Sequence, residues 1–546
     1  MKHTLFLCCL FVFVLVGCGN EPNAAATQSP PSLPTVTALT LPTPSPVVPS
    51  AAATPEADTG LLTPTPAETT VGSLPAPTLF EVAWADRTPY AANLIPTEQG
   101  ILGELPGATV YHLDMELDAS LTGLRGREEI LYTNRETLPL SEIYLRLFPN
   151  LVGGISRISE VQVNGRPITP TLTLEDSALR IPLKPPVNPG AQAVISLTFT
   201  ISVPTFPEKS NYGAFAYQEE IAALAHFYPM VAVYDDEGWN LEIASPYGDI
   251  IYAEASFYLV RLTAPANLVL VTSGAITTRE QQGNQQTVTI AAGPSRDFYL
   301  AASSRFVPVS GTVGDVTVIS YSPLEYQNRA LEMLDYAMYA VNFYSTMLGP
   351  YPFTELEIAS TINEETGIEY PGVFVMSKVL YTPEQEYNVP DSYYIESTTA
   401  HETLHQWFYN IVGNDQLDEP WLDEAVAQYI TYRYFLDRYG EEGAQAFFET
   451  FDRRWGRGSN YADLPIGLPV RNYIGLEYSA IIYGRGPLFL VALEEVMGVE
   501  TFTTFLHDYY QQYKWGIATT EDFRALAEIH CGCDLTTLFT TWVYPR

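Results

Sequence analysis

Apolar residues in this chain recur with a period of two as far as Pro308 and with helical spacing beyond Glu325. Short alternating runs fill the first stretch, at 111–117, 143–147, 193–199, 255–260 and 268–271, with turn residues between them. Successive side chains of a strand point to opposite faces, so these runs predict an all-β unit, a sandwich or a saddle. In the second stretch Leu331, Leu334, Ala337, Met338 and Val341 share one helix face, and the pattern stops before Gly349-Pro350. Two short strand candidates follow at 356–360 and 373–376, and after Asp391 the chain reads as mostly helical. The expected fold class is α+β and multidomain. A β saddle or sandwich occupies 79–310, and a mainly helical domain occupies 311–546.

The first 78 residues read as targeting and spacer. Lys2 and His3 precede an apolar run at 5–16. At about twelve residues it has the length of a signal-peptide core and falls short of the roughly twenty that a membrane span needs. The run ends in Leu15-Val16-Gly17-Cys18, which looks like a bacterial lipobox. Residues 1–18 are therefore expected to be a lipoprotein signal peptide, with Cys18 the lipidation site. The alternative is an ordinary secretory signal with a chance cysteine. Residues 19–78 are dominated by Pro, Thr, Ala and Ser, as in Thr63-Pro64-Thr65-Pro66. That composition favours extended, hydrated backbone and predicts a disordered stalk. The expected location is extracytoplasmic, at the cell membrane, through an N-terminal lipid anchor.

Charge excludes two classes of partner. Lys and Arg number 27 against 63 Asp and Glu, a formal net charge of −36. Phosphate binding needs clustered cations, so nucleic acid and polybasic attachment to anionic lipid are both excluded. Yet 47% of residues are hydrophobic and only 16% charged, which is not the composition of a disordered acidic chain. Of the 5 cysteines, Cys8 and Cys9 would leave with the signal and Cys18 would carry lipid. Cys531 and Cys533 remain, as two thiols or one local disulfide at a helix end.

Chemistry concentrates at His401-Glu402-Thr403-Leu404-His405. Leu404, Trp407, Phe408 and Ile411 mark a buried stripe that predicts a helix through Ile411, with Gly413 as its stop. Histidines at i and i+4 lie on one face, where two imidazoles can reach one Zn²⁺, and Glu402 beside them can take a proton from a water. A catalytic zinc needs a third protein ligand and an open position. Glu424 supplies the candidate, since the turn at Val412-Gly413-Asn414-Asp415 lets a second helix begin near it.

This spacing, with Glu424 inside Trp421-Leu422-Asp423-Glu424, resembles the aminopeptidase N family of gluzincin peptidases, which includes leukotriene hydrolases. Gly349-Pro350-Tyr351-Pro352, Gly367-Ile368-Glu369-Tyr370-Pro371-Gly372 and Tyr483-Gly484-Arg485-Gly486 resemble further family segments. So do Cys533-Asp534-Leu535-Thr536 and Arg296-Asp297-Phe298. The likeness covers about 80–546. It implies a saddle-shaped N-terminal domain and a thermolysin-like catalytic domain holding one Zn²⁺ on His401, His405 and Glu424. It also implies Glu402 as general base, Tyr483 as donor to the oxyanion, and Glu369 as the anchor for the substrate's free α-amine. Pro487 would sit in the first turn of a helix or kink it.

Three departures stand out. Ile368 and Tyr370 replace the usual Met and the common Asn. The Gln-rich amine-recognition segment of the N-terminal domain is not evident, and His226-Phe227-Tyr228-Pro229-Met230 stands in its place. Many relatives add a large C-terminal helical domain, so a cleft open to longer peptides is expected here. The resulting expectation is an extracytoplasmic zinc aminopeptidase acting on peptides. The alternatives are an endopeptidase or other zinc hydrolase on the same scaffold, or a surface binding protein without catalysis.

Overall fold

Alternation builds the first half of the molecule. In the strand Gln192–Ser202, the side chains of Ala193, Ile195, Leu197, Phe199 and Ile201 are buried, and those between them are not. The computed structural model describes residues 79–205, 214–382, 391–457 and 464–545; the expected signal, Cys18 and stalk lie outside them. An eight-stranded sheet runs, in spatial order, Ala275–Gln282, Gln285–Ser295, Ser256–Pro265, Val110–Leu117, Gly123–Thr133, Gln192–Ser202, Ile155–Val163 and Arg166–Pro167. Val110–Leu117 pairs in parallel with Ser256–Pro265, so strands far apart in sequence meet at its centre. Two four-stranded sheets close over one apolar core that includes Leu113, Ile143, Ile195, Phe227 and Phe298.

The second half opens with a five-stranded sheet, ordered Val307–Val313, Val316–Ser322, Glu355–Thr361, Val373–Ser377 and Gly367–Tyr370. Its first strand straddles residue 310, where the period change had placed the boundary. Gly367–Tyr370, a strand that periodicity alone did not reveal, forms the edge and pairs Glu369 with Phe374. Helices follow: α1 (Gln327–Met347) between the second and third strands, then α2 (Asp391–Leu404), α3 (Glu424–Arg457) and α4 (Glu477–Ala480). The remainder are α5 (Gly486–Met497), α6 (Val499–Tyr513), α7 (Thr520–Cys531) and α8 (Thr536–Trp542). The molecule is therefore a mixed-sheet domain followed by a mainly helical one. Among the described residues no helix is long and apolar enough to cross a membrane. Cys531 and Cys533 are disulfide-bonded at the end of α7.

The turn at Gly349 is tied to the HExxH region. Gly349 has φ of 136°, a conformation open mainly to glycine. Its carbonyl accepts from the indole of buried Trp407 at 2.9 Å. Trp407 in turn packs on Tyr344 and Tyr351, in the core that α1 shares with the loop after α2.

Candidate metal centre and active site

The last turn of α2 delivers His401 and Glu402, and His405 is the first residue past its end. Glu424 opens α3 after the short turn Pro420–Leu422. The Nε2 atoms of His401 and His405 lie 3.1 Å apart. Glu424 Oε2 is 3.1 Å from the first and 3.5 Å from the second. Tetrahedral zinc with ligands at 2.0–2.1 Å spaces their donor atoms about 3.3 Å apart. The three side chains, all buried, therefore fit a zinc ion without rearrangement. His405 Nδ1 faces the Phe408 carbonyl at 3.2 Å, which fixes its tautomer and leaves Nε2 free to bind metal.

The electrostatics of the centre also call for a cation. Burial disfavours a charge on His405, but Glu369 and Glu424 outweigh it and push the imidazole up. Burial likewise opposes charge on Glu424, yet the hydrogen bonds from His401 and His405 hold its carboxyl below the usual range. Burial, then Glu369, pushes Glu402 well up, the direction that suits a general base. Glu402 lies against Gly367, where a Cβ would come within 2.4 Å of Glu402 Oε1, so only glycine lets the edge strand approach the base.

Tyr483 sits on a π-helical turn, Ile481–Arg485, between α4 and α5. Pro487, in the first turn of α5, lacks an N–H, and in α geometry its ring would meet the Tyr483 carbonyl. The wider π turn relieves that clash at the residue whose hydroxyl donates to Glu424 Oε1. Burial and Glu424 hold the phenol well above 10, so it remains a donor at neutral pH. A Cβ on Gly486 would meet Ala425 Cβ at 2.5 Å; this close approach sets Tyr483 against the start of α3.

Glu369 projects from the edge strand into the same centre. Gln416 Nε2 donates to Glu369 Oε1 at 3.2 Å and to Asp423 Oδ2 at 2.7 Å, and Asn414 Nδ2 donates to Asp423 Oδ1 at 3.0 Å. Oxygens of Asp249, Glu369 and Asp423 all lie within 4.8 Å of one another. Burial pushes Asp423 up to about 7. Asp249 and Gln416 were missed in sequence. Asp249 follows Pro246-Tyr247-Gly248 in a loop of the β domain, and its neighbours carry no signal of the partner it meets.

One expectation needs correction. The helix predicted through Ile411 ends at Leu404, although Trp407, Phe408 and Ile411 are buried as expected. The reason is Arg296, a guanidinium 1% exposed. Its Nε donates to the Tyr409 carbonyl at 2.7 Å, Nη1 to Ala253 at 3.0 Å and Nη2 to Ile411 at 3.0 Å, and Nη2 also reaches Gly516. Those carbonyls turn towards the cation instead of along a helix axis, and Tyr409 takes φ of 95° to allow it. Gly413 is not a positive-φ helix stop. A Cβ there would lie 2.1 Å from Arg296 Cζ.

Residues 332–542 match the family described as Peptidase family M1 domain. Aminopeptidase M1-D of Oryza sativa subsp. japonica is 25% identical over 298 residues, 53% of this chain and 34% of its own length. Probable aminopeptidase 2 of Sulfurisphaera tokodaii is 23% identical over 274 residues, 48% of this chain and 35% of its own. The chain thus spans about a third of the length of these curated relatives. An M1 zinc metallopeptidase mutant from Deinococcus radiodurans, solved bound to a Tyr-Ser-Ala substrate, superposes with a TM-score of 0.59. It shares 20% identity, over 80% of this chain and 95% of that one, and shows the shared fold.

Proposed function

We propose, from the premise that residues 332–542 form a peptidase family M1 domain, that the protein is a zinc-dependent aminopeptidase removing N-terminal residues from peptides. The observation that carries this reading is the convergence of His401, His405 and Glu424 at donor spacings suited to zinc, with Glu402 and Glu369 beside them. Zinc held there would polarise the scissile carbonyl and acidify the attacking water. Glu402 accepts the proton of that water and returns it to the leaving amine. The Tyr483 hydroxyl donates to the oxygen on which charge develops. Glu369, buried and fixed by Gln416, holds the ammonium of the first residue and so sets where the peptide is cut.

The exopeptidase character is tested with a peptide and its N-acetylated twin. Removing a charge-assisted contact worth about 1.5–3 kcal/mol should slow cleavage at least roughly tenfold. Equal rates would instead favour the endopeptidase alternative on the same zinc chemistry. The proposed setting is outside the cytoplasm, with the chain moored through lipid on Cys18. The support for it is the apolar run at 5–16 ending in Leu15-Val16-Gly17-Cys18 and the Pro- and Thr-rich stretch after it.

A further inference from the structure

In a chain with 63 acidic and 27 basic side chains, a cation that takes no acid is informative. Arg454, half-buried near the end of α3, is such a cation. Among the described residues it makes no hydrogen bond and no ion pair. Each other arginine side chain described in the second domain meets a carboxylate or a carbonyl. The Arg454 Cζ lies over the ring of Tyr483, 5.2 Å from the centroid. The Tyr483 ring is in turn 6.1 Å from that of His401. Gly484 permits this approach. A Cβ there would meet Trp455 N at 2.7 Å and Arg454 Cβ at 3.0 Å, so the end of α3 closes on the π turn only because the residue is glycine. A guanidinium stacked on a ring keeps its in-plane N–H groups free for an acceptor. Its charge is felt inside the cleft, at His401 and at half-buried Glu365.

Glu365 shows which end of a peptide lies there. Glu369 is the anchor for the first residue, Gly367 lies against the base Glu402, and Glu365 is two residues further along the chain from Glu369. A peptide anchored at Glu369 and cut beside Glu402 therefore has its leaving part on the side of Glu365 and Arg454. We propose that Arg454 binds a carboxylate of that leaving part, either the C-terminus of a short peptide or an acidic side chain just after the scissile bond. This assignment rests on the aminopeptidase reading and adds a substrate preference to it. Without a cation, this side of the cleft would repel such a peptide, because the charges of Glu365, Glu402 and Glu424 act on one another across it. The parallel N–H groups of a guanidinium match both oxygens of a carboxylate, a pairing that a lysine ammonium does not reproduce. Arg454 thus supplies the one feature that the acidic cleft otherwise lacks for an anionic leaving group.

The test compares wild type, Arg454→Met and Arg454→Lys, each zinc-loaded and checked for thermal unfolding. One pair of substrates is leucyl-alanyl-alanine and its C-terminal amide. The other is a longer amidated peptide with Glu or Gln in its second position. Release of the first residue is followed, and the readout is the ratio of kcat/KM, charged over neutral, within each pair. Wild type should favour the carboxylate about tenfold, the lower end of the worth of a charge-assisted hydrogen bond, in keeping with a half-buried cation. Arg454→Met should abolish that preference, and Arg454→Lys should keep part of it. A preference in the tripeptide pair alone identifies the C-terminus as the partner, and one in the longer pair alone identifies the side chain. No preference in either wild-type pair, or one that Arg454→Met retains, would overturn the assignment and leave the aminopeptidase reading standing. Equal losses on charged and neutral substrates would also overturn it, since Arg454 would then only prop Tyr483. Failure of wild type to release the first residue from any of these peptides would refute the aminopeptidase reading itself, and this assignment with it.

Discussion

Gly413→Ala removes no bond and adds one methyl group, yet it should be among the most damaging substitutions in the second domain. The new Cβ would stand 2.1 Å from Arg296 Cζ and 2.4 and 2.5 Å from its two terminal nitrogens. Heavy atoms pack at about 3.5–4.0 Å, so the guanidinium has to retreat by more than about 1 Å. Its bonds to Tyr409, Ala253 and Ile411, at 2.7, 3.0 and 3.0 Å, do not survive such a shift. Loss of two charge-assisted bonds alone costs about 3–6 kcal/mol, a large share of ordinary stability. The same loop carries the Phe408 carbonyl that orients His405, so zinc affinity should fall as well. Denaturant unfolding and zinc content of the purified variant measure both effects. Arg296→Met combined with Gly413→Ala should be less than additive, because the methyl group then has room. A stability within about 0.5 kcal/mol of wild type for Gly413→Ala would refute the steric account.

Other substitutions separate chemistry from folding. Glu402→Gln should keep zinc and lose about 10²–10⁴-fold or more in kcat, whereas Glu424→Ala should lose zinc itself; metal analysis beside turnover tells the two apart. Glu128, 0% exposed in the β core with neither carboxylate oxygen partnered, should yield a protein more stable by about 1–3 kcal/mol when replaced by Met, as thermal unfolding would show. Burial holds its carboxyl well above the ordinary 4.5, so the folded state keeps a proton that the unfolded chain has lost. Its contribution is fully present below pH 4.5 and falls away as pH rises through the higher folded value, and Glu128→Met should remove that slope. Cys18→Ser should release the protein from the membrane fraction or leave the signal uncleaved, as fractionation and the apparent mass of the product would show.

Sequence conveyed the fold where one face of an element is apolar. The alternation in 193–199 and the helical stripe at Leu334, Ala337 and Val341 need only local burial to be read, and both elements formed where expected, although Leu331 at the head of that stripe is 52% exposed. The stripe from Leu404 to Ile411 misled because burial does not report backbone path. Trp407, Phe408 and Ile411 are buried in a loop shaped by Arg296, more than a hundred residues away in sequence. The edge strand Gly367–Tyr370 is only four residues long, too short for alternation to register. Within the site, His401, His405 and Glu402 were legible because one helical turn fixes their relation, and Glu424 because a short connection returns to it. Asp249 was not, since it comes from the β domain and reaches Glu369 and Asp423 only through packing of the two halves, and Gln416 was not, since its partner Glu369 lies 47 residues away in sequence. The π turn at Tyr483 left a trace in Pro487, but its outcome depended on how closely Gly486 approaches Ala425.

The central claim is that one zinc ion on His401, His405 and Glu424 supports peptide cleavage. Titrating metal-free protein with zinc while following release of the N-terminal residue tests it most directly. Activity should rise linearly, reach a plateau at one equivalent per chain, and be missing throughout from His401→Ala. Full turnover in the metal-free protein, or undiminished turnover in His401→Ala, would contradict the account.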